Sequence, residues 1–569
     1  MASSLPIARF RPRIIDALRG YDRQRLVQDF GAGLTVAVVA LPLAMAFAIA
    51  SGLPPQAGLF TAIVAGFLIA VLGGCRVQIG GPAGAFIVIV YGIVERYGVP
   101  NLIIATAFSG VLLFAMGLLR LGTLVRFIPI AVIIGFTNGI AVLIGLSQVK
   151  DFLGLSIDKM PGDFFGIVGA LWANLHTLNP WALGVAAVSL VIIIGWQHAM
   201  PTLGPRAPFS GQLNRVPGSI VALVVATTAV GVFKLPVETI GSRFGGIPAA
   251  LPAFTLPEFS WETVRYLLMP AITLALLGAI ESLLCARVTD GLIGERHDPN
   301  QELMAQGIAN FVAPLMGGMP ATGTIARTVT NVKSGATSPI AGIVHALVLL
   351  LVILVAAPLA SSIPLATLAA ILIFVAWNMG EWHAFAHLRN LTVPYRFTLL
   401  SVFFLTVIFD LTVAVQLGIV AACVTFIVRI ARLSRADALA PPELKAAGTQ
   451  VQVKRLSGAL FFGSAPLVEA LQDQLPARAL VLDFEHVMYL DSTGADALLA
   501  LARTCQAQGV RLIASALATQ PLDMARRCGL LPLIKADLQP DLARAVAAAD
   551  AIASSPPGAT EPTGADPQP

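Results

Sequence analysis

The chain has 569 residues, of which 57% are hydrophobic and 12% charged, and its mean hydropathy is +0.83. Soluble domains carry about 25% charged residues, so this composition excludes a soluble multidomain enzyme and indicates a polytopic membrane protein. The net charge of +5 reports basic cytoplasmic loops in such a protein, and no nucleic-acid partner is inferred from it. The five cysteines are scattered without a CxxC pair, so neither a disulfide framework nor a zinc site is predicted.

Composition divides the chain into five segments. Residues 1–29 interleave arginines with aspartates and predict an amphipathic segment at the cytoplasmic surface rather than a cleavable signal peptide. Residues 30–431 form the predicted transmembrane domain, 432–446 a linker, and 447–552 an α/β domain with alternating short apolar runs and charges. The tail at 553–569 is rich in Pro, Ser and Gly and is predicted to be disordered. The absence of a targeting sequence favours a plasma membrane, the inner membrane in a bacterium.

The apolar blocks predict an α-helical membrane domain, at about 20 residues for a full crossing. The fourteen predicted spans are 31–49, 56–73, 80–95, 100–119, 127–148, 181–197, 217–233, 266–286, 303–317, 323–333, 339–358, 364–379, 397–410 and 411–428. The basic N-terminal segment and the arginines after the last span should both stay in the cytoplasm, which requires an even number of crossings. The segments 149–180 and 234–265, external on this count, are poorer in basic residues.

Two of these spans begin with a Gly/Pro stretch that is followed by a helix too short to cross alone. The first reads VQIGGPAGAF at 77–86, and the second reads GGMPATGTIA at 317–326. Paired broken segments in two halves of seven spans predict an inverted repeat with a substrate site near the midplane. Either motif alone is also compatible with an ordinary kinked helix.

A broken helix leaves its first main-chain N–H groups without partners, and its dipole places partial positive charge there. Two such ends predict an anion site that needs no buried lysine. The residues predicted to bind the anion are Ala83, Gly84, Ala85 and Phe86 at the first end, Thr322, Gly323, Thr324, Ile325, Ala326 and Arg327 at the second, and Phe47 on the first span. Arg327 adds positive charge to the site, or is a structural charge that snorkels to the membrane surface or pairs with a carboxylate.

Glu281 is the only ionisable acid or base between Arg265 and Arg287, and it lies in the apolar span LLMPAITLALLGAIESLLCA. An acid inside a membrane helix is a functional hypothesis by default, here a carboxylate that loads and releases a coupling proton. The alternative is a structural acid satisfied by Arg327 or by a main-chain donor. His345, in another apolar span, is interpreted as a satisfied packing histidine.

The run at 279–347, which begins AIESLLCA, resembles the signature region of the SulP sulfate-permease superfamily of anion transporters. QIGGPAGAF at 78–86 resembles the third-helix motif of that family, and the resemblance covers essentially residues 15–550. It implies two inverted seven-helix repeats, with core and gate subdomains that move by elevator-like alternating access. It also implies an anion bound between the third and tenth helices and ion coupling at Glu281. Cys285 stands where a sodium-coupled bicarbonate branch has a hydroxyl, which favours protons over sodium.

Two stretches, AIESLLCA and VAWNMGEWH at 375–383, resemble the bacterial C4-dicarboxylate member of the family. The predicted function is therefore proton-coupled symport of sulfate or C4-dicarboxylates. The alternatives are a sodium-coupled bicarbonate transporter, an anion exchanger or an anion channel of the same fold, and a membrane sensor. No enzyme activity, cofactor or metal is predicted, because the spans hold neither a His/Glu cluster nor a nucleophile–base pair.

The sequence ALVLDFEHVMYLDSTGADALLAL at 479–501 resembles the core of a STAS domain (sulfate transporter and anti-sigma factor antagonist). The predicted order is a strand at 450–455, a strand at 457–462, a helix at 464–474, a strand at 479–484, a helix from Ser492, a strand at 510–515 and two further helices. Ser492 is predicted to cap its helix. The serine at this place is phosphorylated in soluble relatives, which makes Ser492 a regulatory candidate. The family also implies a homodimer in the lipid bilayer.

Overall fold

The computed structural model describes residues 8–123, 130–157, 160–203, 217–248, 261–409, 411–442 and 449–555, with 250, 254, 256, 257 and 444. The side chains of 199–203, 411–419, 421 and 422 are not described. Several predictions fall partly outside the described residues: the N-terminal segment at 1–7, the span 127–148 at 127–129, the span 397–410 at 410, the linker at 443 and 445–446, the α/β domain at 447–448, and the disordered tail from 556 onward. The chain divides into two compact units, Met1–Ile419 and Val420–Pro569.

The first unit is mainly helical in its described ranges. Its longer helices are α1 (Arg23–Ala50), α2 (Pro55–Leu72), α3 (Ile87–Tyr97), α4 (Val99–Leu118), α5 (Ile130–Leu153), α6 (Phe164–Ala173), α7 (Pro180–Leu203), α8 (Gly218–Phe233), α9 (Trp261–Ile293), α10 (Pro299–Leu315), α11 (Ile325–Lys333), α12 (Ile340–Ala360), α13 (Leu365–Met379), α14 (Val393–Ile408) and α15 (Leu411–Leu433), which continues into the second unit. Short helices cover Ile14–Ala17, Ile240–Phe244 and Trp382–Ala386.

Each of the fourteen predicted spans coincides with one of these helices, whereas α6 lies in a segment predicted to be external. Among the described helices, α1, α2, α4, α5, α7, α9 and α12 are long and apolar enough to cross a membrane. Four more, α6, α8, α13 and α14, are apolar but shorter. The membrane fold is therefore confirmed, and the number of crossings stays a prediction.

The helices of the first unit pack in two groups, in which glycines let backbones touch. A Cβ added to Gly110 of α4 would lie 2.6 Å from the Gly307 carbonyl oxygen of α10, and one added to Gly33 of α1 would lie 2.5 Å from a carbonyl of α12. Likewise, a Cβ on Gly135 of α5 would lie 2.5 Å from a carbonyl of α14. Small residues at helix contacts are the usual packing mode in membranes. We refer to α1–α4 and α9–α12 as the core group, and to α5, α7, α8, α13 and α14 as the gate group.

Two short strands meet within the core group. Strand β1 (Gly80–Gly81) pairs antiparallel with β2 (Thr322–Gly323), with Gly80 opposite Gly323 and Gly81 opposite Thr322. A 3₁₀ turn and α3 follow β1, and α11 follows β2. Because the strands are antiparallel, the two short helices leave this strand pair, which we call the crossing, in opposite directions. The two broken spans predicted from Gly and Pro are thus confirmed.

Polar caps explain where several helices begin. Helix α10 starts where Asp298 accepts hydrogen bonds from the N–H groups of Asn300 and Gln301 at 2.9 and 3.1 Å, with Pro299 as its first residue. In α1, the side chain of Asp22 has the same role. These caps consume the N–H groups that a helix otherwise leaves unpaired.

The second unit is an α/β domain built on one sheet. Its strands are β3 (Arg435–Leu439), β4 (Val451–Leu460), β5 (Ala479–Leu490), β6 (Arg511–Ser515) and β7 (Leu538–Gln539), in the order β3-β4-β5-β6-β7. Only the β3–β4 pair is antiparallel among these described pairs. The longer helices are α16 (Ser492–Ala507), α17 (Thr519–Arg527) and α18 (Leu542–Ser554), and short ones cover Ala465–Glu469 and Leu531–Ile534. This sheet confirms the predicted α/β class of the domain.

Three boundaries in this unit differ from prediction. The two strands predicted at 450–455 and 457–462 are the single strand β4, because register shifts around Gly458, at φ +92°, absorb the irregularity. Strand β5 continues to Leu490 rather than ending at 484. The predicted linker at 432–446 contains β3, an edge strand whose mostly exposed residues lack the apolar alternation that marks a strand.

Candidate functional site

The N-termini of α3 and α11 lie beside the crossing, and neither is capped by a side chain from the described ranges. The Phe86 and Ile87 N–H groups are used within the turn before α3, where they donate to the Ala83 and Gly84 carbonyls. The N–H groups left for a ligand are therefore those of Gly84 and Ala85 in this turn and those of the first residues of α11, within the partial positive charge of each helix dipole. The structure places Ala83, Gly84, Ala85 and Phe86 in buried positions, Ile325 in a half-buried one and Ala326 in an exposed one. Because β1 pairs with β2, the two predicted ends are brought together.

The hydroxyls of Thr322 and Thr324 bond to the surroundings of the crossing. Thr322 Oγ1 donates to the Gly278 carbonyl of α9 at 3.1 Å, and Thr324 Oγ1 donates to the Ile79 carbonyl at 3.0 Å. The Thr324 N–H donates to the same Ile79 carbonyl at 2.9 Å. Because both protons already point at carbonyl oxygens, the binding of an anion by Thr322 and Thr324 stays a prediction. The other donors at this end are main-chain N–H groups and the side chain of Arg327.

Gly84 faces an apolar wall. A Cβ added there would lie 3.4 Å from Cδ1 of Ile144 on α5, 3.6 Å from Cε1 of Phe47 on α1 and 3.7 Å from Sδ of Met379 on α13. Phe47 therefore lies beside Gly84, and its contact with the anion stays a prediction. Ile144 and Met379 were not predicted to line the site, because the sequence does not distinguish one apolar residue from the others in an apolar helix. The wall excludes water from the N-terminus of α3, which strengthens electrostatic interactions there.

Arg327 connects the two arms of the crossing, by which we mean the segment around β1 that leads into α3 and the segment around β2 that leads into α11. Its side chain is 1% exposed, and its Nη2 donates to the Pro82 carbonyl, just before the N-terminus of α3. Its Nη1 is buried beside Gly81 and has no hydrogen-bond partner among the described residues. Arg327 therefore does not reach the membrane surface, and its positive charge lies near both half-helix ends.

Glu281 of α9 is half-buried, and its Oε2 is buried without a hydrogen-bond partner in the described part of the chain. The charge of Arg327 acts on this carboxyl group. One turn further along α9, the buried thiol of Cys285 donates to Thr328 Oγ1 at 3.4 Å. His345 is also fully buried, yet neither ring nitrogen has a partner within the described ranges, so the prediction of a satisfied histidine is wrong.

The sequence analysis missed a second buried acid beneath the crossing. Glu302 of α10 is 0% exposed and accepts hydrogen bonds at 2.9 to 3.3 Å. Its donors are the N–H groups of Gly74 and Cys75, the side-chain amides of Gln78 and Gln306, and the hydroxyl of Ser282. The signal was available, because Glu302 directly precedes the uncharged run at 303–326 and an acid near membrane depth needs such partners.

The family models match both units of the chain. The model of the sulfate permease family matches residues 26–402, and that of the STAS domain matches residues 447–545. The chain belongs to the sulfate permease family. Members of this family are membrane transporters, so the protein is a transporter and not an enzyme.

Two relatives of the transporter cover most of its length. A putative sulfate transporter, YvdB of Bacillus subtilis, is 41% identical over 91% of this chain and 96% of its own. The bicarbonate transporter BicA of a Picosynechococcus species is 33% identical over 83% of this chain and 85% of its own.

Solved structures show the same fold. The transmembrane domain of a cyanobacterial BicA matches with a TM-score of 0.60 at 32% identity, covering 71% of this chain and 98% of that one. The murine Solute Carrier 26 family member A9 matches with a TM-score of 0.84 at 19% identity, covering 95% of this chain and 94% of that one. The second likeness is one of fold, and it extends over the transport unit and the STAS domain of the transporter.

In the STAS domain of the transporter, Asp491 and not Ser492 caps α16. Asp491 Oδ1 accepts a hydrogen bond from the Gly494 N–H at 2.8 Å, and Ser492 is the exposed first residue of the helix. The predicted capping role of Ser492 is wrong, because the side chain one residue earlier already reaches the third N–H group. Burial raises the pKa of the neighbouring Cys505 thiol to about 11, so that thiol stays protonated and unreactive at neutral pH.

Proposed function

We propose that the transporter is a proton-coupled symporter of sulfate or C4-dicarboxylates that binds its anion at the N-termini of α3 and α11. The observation that carries this proposal is the pair of uncapped helix ends beside Arg327 and the unpartnered carboxyl oxygen of Glu281. Main-chain N–H groups at helix ends bind oxyanions readily. The neighbouring acid gives the site a group whose protonation state changes the local charge.

Coupling follows from the charges at the site. An ionised Glu281 offsets the positive field of Arg327, and a protonated Glu281 leaves that field to the anion. Proton and anion therefore favour each other's binding, and by reciprocity the loss of either one favours the release of the other. The core group carries the site, and the gate group presents Ile144 and Met379 to it. Movement of the core group along this apolar wall is the elevator step of the proposal.

Sodium coupling fits the site less well. Hard cations such as sodium prefer oxygen ligands, and Cys285 offers a buried thiol one turn from Glu281. The thiol of Cys285 also donates to Thr328, so its proton is in use. These contacts favour a proton over sodium-coupled bicarbonate transport, which remains the alternative. The relative BicA is named as a bicarbonate transporter.

Uptake into proteoliposomes tests the proposal. Labelled sulfate, succinate and bicarbonate are offered with an inward proton gradient, an inward sodium gradient or neither. We expect the proton gradient to drive accumulation of sulfate or succinate, and the sodium gradient to drive none. Sodium-driven bicarbonate uptake would establish the alternative. Uptake that ignores both gradients would identify an exchanger or channel and leave Glu281 as a structural acid.

Gly84→Ala should weaken anion binding without weakening the fold. The added methyl meets its neighbours at 3.4 to 3.7 Å, which is ordinary contact, so the melting temperature should change by less than about 2 °C. The methyl occupies the space before the N–H groups of the turn, so the half-saturating anion concentration should rise about tenfold. Uptake kinetics and thermal unfolding of the purified protein measure both. A lower melting temperature with native half-saturation would contradict this assignment of Gly84.

The remaining assignments belong to the same proposal. The transporter lies in the plasma membrane with both termini in the cytoplasm, and its relative in Bacillus subtilis supports a bacterial inner membrane. It acts as a homodimer, as the resemblance implies. Ser492 is its regulatory candidate, supported by the exposure of this residue at the start of α16.

A further inference from the structure

Helix α10 carries a row of buried polar side chains directly beneath the crossing. Glu302, Gln306 and Asn310 follow one another at intervals of four residues, so they lie on one face of the helix. Their exposed fractions are 0%, 0% and 2%. We call these three residues the polar stripe. Polar groups within a membrane are rare, because burying them costs free energy unless they are hydrogen-bonded. The hydrogen-bond partners of these three residues show which segments they fix in place.

Glu302 holds the arm that leads into α3. Its carboxylate accepts the N–H groups of Gly74 and Cys75 and the amide of Gln78, all within the stretch before β1. Gln78 in turn packs against the other arm, because a Cβ added to Gly323 would lie only 1.8 Å from its Nε2. The position of Gln78, and with it the spacing of the two strands, therefore depends on Glu302.

Asn310 holds the arm that leads into α11. Its Oδ1 accepts the Ala321 N–H at 2.8 Å, and its Nδ2 donates to the Ala321 carbonyl at 2.8 Å. Ala321 directly precedes β2. Gln306 lies between Glu302 and Asn310 on the helix. Its side-chain Nε2 donates to Glu302, and its main-chain carbonyl accepts from Asn310 Nδ2.

The helix that carries the stripe is itself firmly placed. A Cβ on Gly307 would lie 2.5 Å from the Phe114 N–H nitrogen of α4, so the backbones of α10 and α4 are in contact. The segments that lead into α3 and α11 are therefore both hydrogen-bonded to one helix, α10, which is packed tightly against α4. A binding site built from N–H groups on two separate chain segments requires such a support, since its donors must be held to within about 0.5 Å.

We propose that the polar stripe positions the two half-helix ends relative to each other and so sets the affinity for the anion without touching it. Glu302 and Asn310 are the positioning residues, one for each arm. This inference rests on the anion site proposed above and adds the element that determines its geometry. A stripe that only stabilised the fold would change how much transporter is folded, and the folded fraction would bind anion normally.

The test compares Glu302→Gln and Asn310→Leu with Thr106→Val in proteoliposomes. Thr106 is a matched control: it is fully buried on α4, and its hydroxyl bonds the Leu102 carbonyl of its own helix at 2.7 Å, away from the crossing. We expect the half-saturating anion concentration to rise about tenfold in both stripe variants, with turnover per folded transporter within about twofold of native. The control should keep native half-saturation.

Native half-saturation in both stripe variants would overturn the inference, whatever their yield. Should Glu302→Gln fail to fold, Ser282→Ala removes one donor to Glu302 and one acceptor from Gln78, and half-saturation should then rise about threefold. Native affinity in Ser282→Ala and Asn310→Leu would equally overturn it. Failure of the proposed function looks different, because native protein would then show no proton-driven uptake of sulfate or succinate at all.

Discussion

Glu281→Gln should abolish proton-driven accumulation of the anion and leave anion exchange intact. Glutamine has the shape of a protonated glutamate but cannot release a proton, so it holds the site in its loaded charge state. With the membrane potential clamped, an inward gradient of about one pH unit supplies about 1.4 kcal/mol per proton, which is about tenfold accumulation. The native transporter should reach this ratio. The variant should stop at equal concentrations inside and outside.

The measurement is uptake of labelled sulfate or succinate, followed by exchange against unlabelled anion inside the vesicles. Glu262→Gln is the matched control, because Glu262 lies in the exposed first turn of the same helix, α9. It should accumulate anion like the native protein. Accumulation by Glu281→Gln with native pH dependence would remove Glu281 from the coupling step. An unfolded variant would show neither exchange nor accumulation, so exchange without accumulation distinguishes a loss of coupling from a loss of folding.

The broken spans were predictable because their signal is local. Glycine and proline at the start of a predicted span indicate that the helix is interrupted there. The stretches at 77–86 and 317–326 show this pattern in the sequence itself, without any tertiary information. Arg327 and Glu281 were predictable for the same reason, since a charge in an apolar run stands out. The sequence did not reveal that Arg327 reaches across to the Pro82 carbonyl.

What the sequence could not supply depends on contacts between distant segments. Ile144 and Met379 face Gly84 only because α5 and α13 pack there. Thr322 and Thr324 were predicted to bind the anion, and the sequence did not show that their hydroxyls donate to carbonyl oxygens of distant segments. Strand β3 was missed because an exposed edge strand has no apolar pattern. In each case the deciding partner lies far away in the chain.

Gly323→Ala should abolish saturable transport, because the crossing has no room for a methyl group. The new Cβ would lie 1.8 Å from Nε2 and 2.6 Å from Cδ of Gln78. Gln78 cannot turn away freely, since its Nε2 donates to Ser282 Oγ at 3.0 Å and to Glu302 Oε1 at 3.1 Å. Overpacking of this kind costs about 1 to 3 kcal/mol. Here β2 and the N-terminus of α11 must shift to relieve it, and that displaces the N–H donors of the proposed site.

A second substitution separates this clash from a general intolerance of alanine. Gln78→Ala removes the side chain that the new methyl group would meet. The double variant Gln78→Ala/Gly323→Ala should therefore transport better than Gly323→Ala alone, whereas two independent substitutions would have additive effects. Gly92→Ala on α3 is the control, because a Cβ there has open space within 4 Å and uptake should stay native. Uptake kinetics of the native protein, the two single variants, the double variant and the Gly92→Ala control decide the point. Equal activity of Gly323→Ala and the native transporter would mean that the spacing of the crossing does not limit anion binding.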